Sequence, residues 1–254
     1  MNAPPVVHVD ITGAVATITL DSQHNRNALS RQLLAELHEA LDAAEAAEAR
    51  AIVLTHLGPA FCAGADLKER SSQGSTESDS NPFVDALVRL MDTARPTIAA
   101  VKGAVRAGGI GLMAACDLVV VDESTTFALT EVRIGVAPAI ISVPILRRVA
   151  SSRIAAAMLT GEPFDAREAR SIGLITHVSA DVDATVATLT TGILAGAPRA
   201  VAATKRLLHE VPTLDRSDAF ASMGRLSNEL FESPEAAEGM AAFVEKRPPD
   251  WTTT

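Results

Sequence analysis

The sequence has few of the residues that nucleic-acid-binding surfaces use. It contains no tyrosine and one tryptophan, and no cluster of lysine and arginine stands out among its 254 residues. The formal net charge of −9 opposes a polyanionic partner, although a few cations and backbone N–H groups suffice for a small anionic ligand. We therefore expect no nucleic-acid partner.

Cysteines and long apolar runs are also scarce. The two cysteines, Cys62 and Cys116, fit a reducing compartment, and their apolar neighbours indicate packed thiols rather than nucleophiles. No apolar run reaches the length that crosses a membrane, and the start of the chain lacks the basic and apolar regions of a signal peptide. These absences predict a cytoplasmic protein without a membrane partner.

Apolar periodicity predicts alternating strands and helices up to Val178. Val6–Asp10 and Ala14–Asp21 are rich in β-branched residues and predict a hairpin. Ser30 is a suitable N-cap for a helix over Arg31–Ala49. Further strands are predicted at Ala51–Thr55, Thr97–Val101 and Leu118–Val121, and further helices at Pro82–Thr93 and from about Gly108. The alternation favours an α/β architecture with parallel pairing.

Two regions depart from this alternation. Ser71–Asn81 (SSQGSTESDSN) is polar and predicts a mobile loop. After Asp181 the pattern becomes helical, with predicted helices at Asp183–Leu194, Pro198–His209, Leu214–Phe231 and Pro234–Lys246. The simplest division is a strand-bearing core followed by a helical C-terminal region.

Two segments would expose backbone N–H groups to a ligand. Phe61–Glu69 (FCAGADLKE) follows a predicted strand, and its small residues let a ligand approach the main chain in front of a helix-like run. Val101–Gly111 (VKGAVRAGGIG) places two glycines before a helix of small residues. Each segment alone is equally typical of a tight turn or of close helix packing. Together they suggest two N–H groups converging on one oxygen, which stabilises a thioester enolate.

A third segment carries a candidate proton carrier. Glu131 lies among apolar residues in Phe127–Gly135 (FALTEVRIG), and such surroundings can raise the pKa of a carboxyl group. A surface glutamate at a helix start beside Arg133 would show the same pattern. From these residues alone both interpretations stay open.

In this order, the three segments resemble the active-site stretches of the crotonase (enoyl-CoA hydratase/isomerase) superfamily. The stretches QHNRNALS and EGMAAFVEKR also resemble family stretches, so the resemblance covers essentially the whole chain. It implies an α/β fold, a crotonase-like spiral of ββα units over residues 1–195, with a helical trimerisation region over residues 196–254. It also implies a homotrimer or a dimer of trimers, an acyl-CoA thioester substrate, and neither a separate cofactor nor a metal.

The resemblance assigns roles by position. The backbone N–H groups of Ala65 and Gly108 would form the oxyanion hole, and Glu131 would carry the proton. The substrate-binding positions would be Arg26, Ala63, Asp66, Leu67, Lys68, Phe243 and Lys246. Phe243 and Lys246 would approach the adenine-nucleotide end from a neighbouring subunit. For the cations of this set a solvated surface role remains equally open.

The sequence departs from the family's pattern at one catalytic position. Typical hydratases of the family use two glutamates, of which the first lies three residues after the oxyanion-hole glycine. Here Gly111 occupies that position, and only the second glutamate, Glu131, is present. Two carboxylates can hold a water molecule and shuttle its proton, whereas one is enough to move a proton between two carbons, as in Δ3,Δ2-enoyl-CoA isomerases.

A second departure follows Glu131. The usual Gly-rich stretch is replaced by Val136–Ser142 (VAPAIIS), which is similar to a branch that includes hydratases of branched, carboxylated enoyl-CoAs such as methylglutaconyl-CoA. Arg106 and Arg133 would suit a carboxylated acyl tail if they faced the pocket. Exposed or ion-paired arginines remain the alternative.

Three functions stay open from the sequence. The first is an enoyl-CoA hydratase that uses Glu131 and replaces the missing carboxylate with another group or with substrate. The second is a single-glutamate isomerase. The third, a non-catalytic acyl-CoA-binding or RNA-binding member, is disfavoured by Glu131 and by the acidic charge. We expect the hydratase first, as the family's most common activity, and the isomerase next.

Overall fold

The computed structural model describes residues 4–71 and 81–252. Its strands are β1 (Val7–Thr12), β2 (Val15–Leu20), β3 (Ala51–His56), β4 (Ala60–Cys62), β5 (Thr97–Val101), β6 (Ala104–Arg106), β7 (Leu118–Asp122), β8 (Thr126–Ala128), β9 (Phe164–Asp165) and β10 (His177–Ser179). The loop predicted over Ser71–Asn81 lies outside the described residues, apart from its two end residues.

Helices connect and cover these strands. They are α1 (Arg31–Ala46), α2 (Leu67–Ser71), α3 (Pro82–Asp92), α4 (Gly108–Ala114), α5 (Ala139–Leu146), α6 (Ser151–Thr160), α7 (Ala166–Ser171), α8 (Val182–Ala195), α9 (Pro198–Glu210), α10 (Arg216–Phe231) and α11 (Pro234–Glu245). The Ser30 side chain accepts a hydrogen bond from the Leu33 N–H and caps α1, as the sequence predicted. The helix ends three residues earlier than predicted, since Glu48 adopts a left-handed conformation with a φ of 52°.

The strands form two sheets. The six-stranded sheet has the order β1-β2-β3-β5-β7-β10, in which the β1–β2 hairpin is antiparallel and every other pair is parallel. This confirms the predicted α/β architecture. The four-stranded sheet has the order β4-β6-β8-β9, in which β4, β6 and β8 run parallel. The sequence did not predict this second sheet because strands of two or three residues are too short to show periodicity.

The core lies between the sheets and the helices that cover them. Leu33 and Leu37 of α1 and Phe61 and Phe127 of the small sheet are completely buried in one apolar cluster. The apolar spacing along α1 places its leucines on one face, which explains why this helix packs here. The small sheet is therefore held rigidly at the centre of the molecule.

Helix α9 is anchored to the core by a buried ion pair. Lys205 Nζ lies 2.9 Å from Asp117 Oδ2 and donates hydrogen bonds to the Leu90 and Arg95 carbonyl groups, each at 3.0 Å. Asp117 also accepts hydrogen bonds from the N–H and hydroxyl groups of Thr97. Because all three ammonium hydrogens have acceptors, this pair tolerates its burial.

The later helices leave apolar side chains at the surface. Phe220 and Phe231 of α10 and Phe243 of α11 are at least two-thirds exposed, and Phe243 reaches 85%. Such side chains suit contacts between subunits, and the trimer or hexamer stays a prediction. Within the described ranges no single helix has the length and apolarity to cross a membrane, although Val182–Ala195 with Pro198–Thr213, bent by 113°, would qualify by length and composition alone.

Candidate active site

The candidate site lies where three parallel strands of the small sheet end. Cys62 of β4 pairs with Val105 of β6, and Val105 pairs with Phe127 of β8. The carboxyl ends of parallel strands share one edge of a sheet, where α/β proteins commonly bind ligands. The three segments that the sequence singled out therefore leave the sheet side by side.

The loop after β4 presents the Ala65 N–H. Gly64 has a φ of +91°, and its carbonyl group accepts a hydrogen bond of 2.7 Å from the Leu29 N–H. A Cβ atom at position 64 would lie 2.8 Å from the Ala107 Cβ atom and 3.4 Å from the Gly108 nitrogen. Only glycine permits both this conformation and this contact, so the first donor loop touches the second one directly.

The turn after β6 presents the Gly108 N–H. Ala107 has a φ of 48° and a ψ of −121°, a sparsely populated conformation for an alanine, and its N–H donates a hydrogen bond of 2.9 Å to the Ala128 carbonyl group. Gly108 follows as the first residue of α4. The strained turn aims the first N–H of that helix away from the helix itself.

Both N–H groups are available to a ligand. Neither the Ala65 N–H nor the Gly108 N–H donates a hydrogen bond to another of the described residues. Side chains of Leu29 and Phe83 lie beside Gly108, 2.8 and 3.6 Å from where its Cβ atom would be. The Gly108 donor therefore lies beside apolar side chains, where hydrogen bonds to a developing negative charge are strong.

Glu131 supplies a carboxylate at the same sheet edge. It lies in a short 3-10 turn, Thr130–Ile134, that follows β8 directly. Its Oε2 atom is buried and has no hydrogen-bond partner among the described residues. Burial raises the pKa of this carboxyl above its ordinary value, with a smaller opposing effect from the residue's own backbone. A half-buried carboxylate with one buried, unpaired oxygen is costly to folding and suits proton transfer.

Position 111 has no room for the carboxylate that typical hydratases carry there. A Cβ atom on Gly111 would lie 2.6 Å from the Cβ atom and 3.3 Å from the Cα atom of Ile141 in α5. Contacts under 3.0 Å require one partner to move. Ile141 was not identified from the sequence, because the contact joins two helices whose approach only the fold defines.

The loop before α1 joins the first donor loop. The Arg26 carbonyl group accepts a hydrogen bond of 3.1 Å from the Ala63 N–H, while the Arg26 side chain is exposed. Asn27 holds this loop from inside: its amide donates to the Leu57 and Ala60 carbonyl groups at 3.0 and 2.9 Å. Sequence reasoning missed Asn27, although asparagine is a residue that tolerates its left-handed φ of 56°.

The remaining predicted binding residues fall into two groups. The Asp66 carboxylate accepts hydrogen bonds from the Asn25 amide and from the Lys68 and Glu69 N–H groups, so it caps α2. Leu67 and Lys68 are exposed on that helix. Phe243 and Lys246 lie at the surface in and just after α11. Their roles toward the nucleotide stay predictions.

Both arginines that the sequence suggested for a carboxylated acyl tail already form hydrogen bonds or ion pairs within the protein. Arg106 donates to the Thr126 hydroxyl at 2.9 Å and to backbone carbonyl groups of Val105 and Thr126. Arg133 pairs with Glu162 and donates to the Thr160 carbonyl group. These contacts support the structural interpretation of both side chains. Among the described residues, no group of three or more potential metal ligands comes together.

Comparisons with known proteins match the chain along nearly its whole length. The model of the enoyl-CoA hydratase/isomerase family matches residues 10–254. The chain is 37% identical to a putative enoyl-CoA hydratase of Thermus thermophilus, over 93% of this chain and 97% of that protein. It is 32% identical to an enoyl-CoA hydratase of Mycobacterium tuberculosis, over 97% of this chain and 96% of that protein.

A solved structure shows the same fold. The crystal structure of an enoyl-CoA hydratase of Mycobacterium smegmatis superposes with a TM-score of 0.90 at 33% identity, over 98% of this chain and 99% of that chain. The likeness extends over the small sheet as well as the large one, because nearly every residue is covered. The shared architecture thus includes the strand ends that hold the candidate site.

Proposed function

Because this chain belongs to the enoyl-CoA hydratase/isomerase family, we propose that it processes acyl-CoA thioesters with Glu131 as its single proton carrier. The half-buried Glu131 carboxylate, whose buried Oε2 atom has no partner among the described residues, carries this proposal. Such an oxygen lowers the stability of the fold, and groups of this kind are common at functional sites. The Ala65 and Gly108 N–H groups supply the matching donors for the thioester oxygen.

The reaction that one carboxylate supports best is isomerisation of a 3-enoyl-CoA to a 2-enoyl-CoA. Glu131 removes a proton from C2, and negative charge develops on the thioester oxygen between the Ala65 and Gly108 N–H groups. The protonated Glu131 then returns the proton to C4, so the double bond moves from C3–C4 to C2–C3. The raised pKa of Glu131 makes its carboxylate a stronger base for the first step.

Hydration of a 2-enoyl-CoA is the second candidate function. The relatives reported above bear names of enoyl-CoA hydratases, and the donor loops would serve the enolate of that reaction equally well. Water addition needs a group that orients the water, a role for which Gly111 offers no side chain. We therefore propose isomerisation as the first candidate and hydration as the second. This reverses the order expected from the sequence, which put hydration first as the family's most common activity.

A substrate panel tests this proposal. The protein is incubated separately with a 2-enoyl-, a 3-enoyl- and a 3-hydroxyacyl-CoA of the same chain length. We expect the 3-enoyl-CoA to become conjugated, seen by ultraviolet absorbance, without a change in mass. Faster gain of one water by the 2-enoyl-CoA would establish hydration instead, and no conversion of any panel member would exclude both.

A further inference from the structure

Position 111 lies one helical turn from the oxyanion donor. Gly111 follows Gly108 by three residues in α4, and it is buried. A side chain at this position would therefore begin about one turn away from the donor. The residue that packs there instead is Ile141 of α5.

The obstruction by Ile141 cannot be relieved by a change of rotamer. The Cβ and Cα atoms of Ile141 both lie within 3.3 Å of the place where a Cβ atom on Gly111 would stand. Those two atoms move only when the backbone of α5 moves. Ile141 is 3% exposed, and the following turn of α5 is fixed by the buried residues Pro144 and Ile145. The position is thus occupied by packed hydrocarbon rather than left as a space for water.

Helix α5 is also tied to the segment that carries the proton carrier. The Val136 N–H donates a hydrogen bond of 3.1 Å to the Glu131 carbonyl group, and α5 begins three residues later. A movement of α5 that made room at position 111 would therefore pull on the Glu131 turn. Helix α5 therefore links two features of the site: the lack of a carboxylate at Gly111 and the position of the carboxylate of Glu131.

We propose that Ile141 determines the reaction at this site by filling the place of the first carboxylate and excluding water activation there. This inference rests on the proposed function, because it explains why proton transfer between carbons is favoured over hydration. It also shows that Gly111→Glu alone cannot restore hydration. The added side chain needs the whole Ile141 side chain, including its Cβ atom, to be removed as well.

Thermal unfolding tests the packing without reference to activity. We expect Gly111→Ala to lower the Tm by about 3–10 °C in the parent, and by much less in an Ile141→Gly background, which removes the clashing Cβ atom. Ile145→Gly is the matched control, since it removes the same atoms from a buried residue of α5 that is not among the nearest neighbours of a Cβ atom at position 111. An equal loss of Tm in all three backgrounds would overturn the inference.

Water addition to a 2-enoyl-CoA tests the effect on the reaction. We expect G111E/I141G to hydrate this substrate at least ~10-fold faster than the parent, G111E or G111E/I145G, because a second carboxylate gains room to hold water. If G111E alone hydrates as fast, Ile141 is not the barrier. A folded G111E/I141G protein that binds the substrate without gaining hydration overturns the inference as well.

The two proposals fail in different ways. A parent protein that does not isomerise the 3-enoyl-CoA contradicts the proposed function, while the double-variant comparison still decides the role of Ile141. If G111E/I141G does not fold, the Tm of Gly111→Ala in the parent and in the two glycine backgrounds decides. Loss of the Gly111→Ala penalty in the Ile141→Gly background then supports the inference, and its persistence overturns it.

Discussion

At the scale of single residues, Glu131 lowers the stability of the fold, while the proposed function assigns it the proton transfer. Its buried Oε2 atom has no partner among the described residues, and burial raises the pKa of the group. A raised pKa means that the folded protein holds the proton more tightly than the unfolded chain does. The associated stability is present at low pH and is lost as the pH rises through the folded-state pKa.

Replacing Glu131 by glutamine should therefore stabilise the protein at neutral pH. We expect Glu131→Gln to raise the Tm at pH 7 by about 2–4 °C for each unit by which the pKa is raised, since the buried charge is removed. The gain should vanish below the ordinary pKa of 4.5, where the carboxyl is protonated in both states. Calorimetry across this pH range measures it, with Glu123→Gln in an exposed turn as the control. A gain that is constant with pH would contradict this explanation.

The family resemblance predicted part of this candidate site. It assigned roles to Glu131, Ala65 and Gly108 from the order of three segments, and the structure places those segments at adjacent strand ends. Ile141 and Asn27 could not be identified in that way. The role of Ile141 depends on a contact between two helices. The role of Asn27 depends on its hydrogen bonds to carbonyl groups that lie 30 and 33 residues later in the sequence.

At the scale of elements, the site depends on the contact between two turns. Gly64 combines a left-handed φ with a close approach to Ala107, so a side chain there would separate the two N–H donors. The long elements around these turns were predictable from periodicity and capping. Strands β4, β6 and β8 were not, since their three residues each acquire strand geometry only by pairing with one another.

Substituting Gly64 should damage catalysis more than stability. We expect Gly64→Ala to lower kcat/KM by at least ~10²-fold, the usual effect of losing one oxyanion donor, because Ala65 is displaced from Gly108. Gly173→Ala is the control: its φ of +86° carries the same backbone strain, but the nearest atom to its Cβ is 3.7 Å away. The control should lose stability and keep its kinetics. Equal kinetic losses in both variants would show that strain, not the donor geometry, is responsible.

At the scale of the whole molecule, a buried ion pair helps to hold the helical region to the core. The Lys205 and Asp117 side chains are 5% and 8% exposed, so removing the Lys205 charge leaves Asp117 without its buried cation. Lys102 and Asp183 form a second pair between core and α8, but these side chains are 43% and 75% exposed. The two pairs differ mainly in burial, which makes them a matched comparison.

Removing one partner from each pair should have unequal effects. We expect Lys205→Met to lower the free energy of unfolding by about 3 kcal/mol, the lower end for breaking a buried pair, because the buried Asp117 keeps only the Thr97 hydrogen bonds and the partly exposed His209 as partners. Lys102→Met should cost less than about 1 kcal/mol, as is usual for exposed pairs. Urea unfolding measures both. Similar losses in the two variants would argue against a special anchoring role for α9.

The most direct test of the central claim is the turnover of Glu131→Gln on the panel substrate that the parent converts fastest. We expect a loss of at least ~10²-fold in kcat, the lower end of general acid–base contributions, because the single proton carrier is removed. Affinity for the acyl-CoA should change little, since binding rests on backbone donors and nucleotide contacts. Glu123→Gln should keep parental turnover. Near-parental turnover by Glu131→Gln would contradict the account.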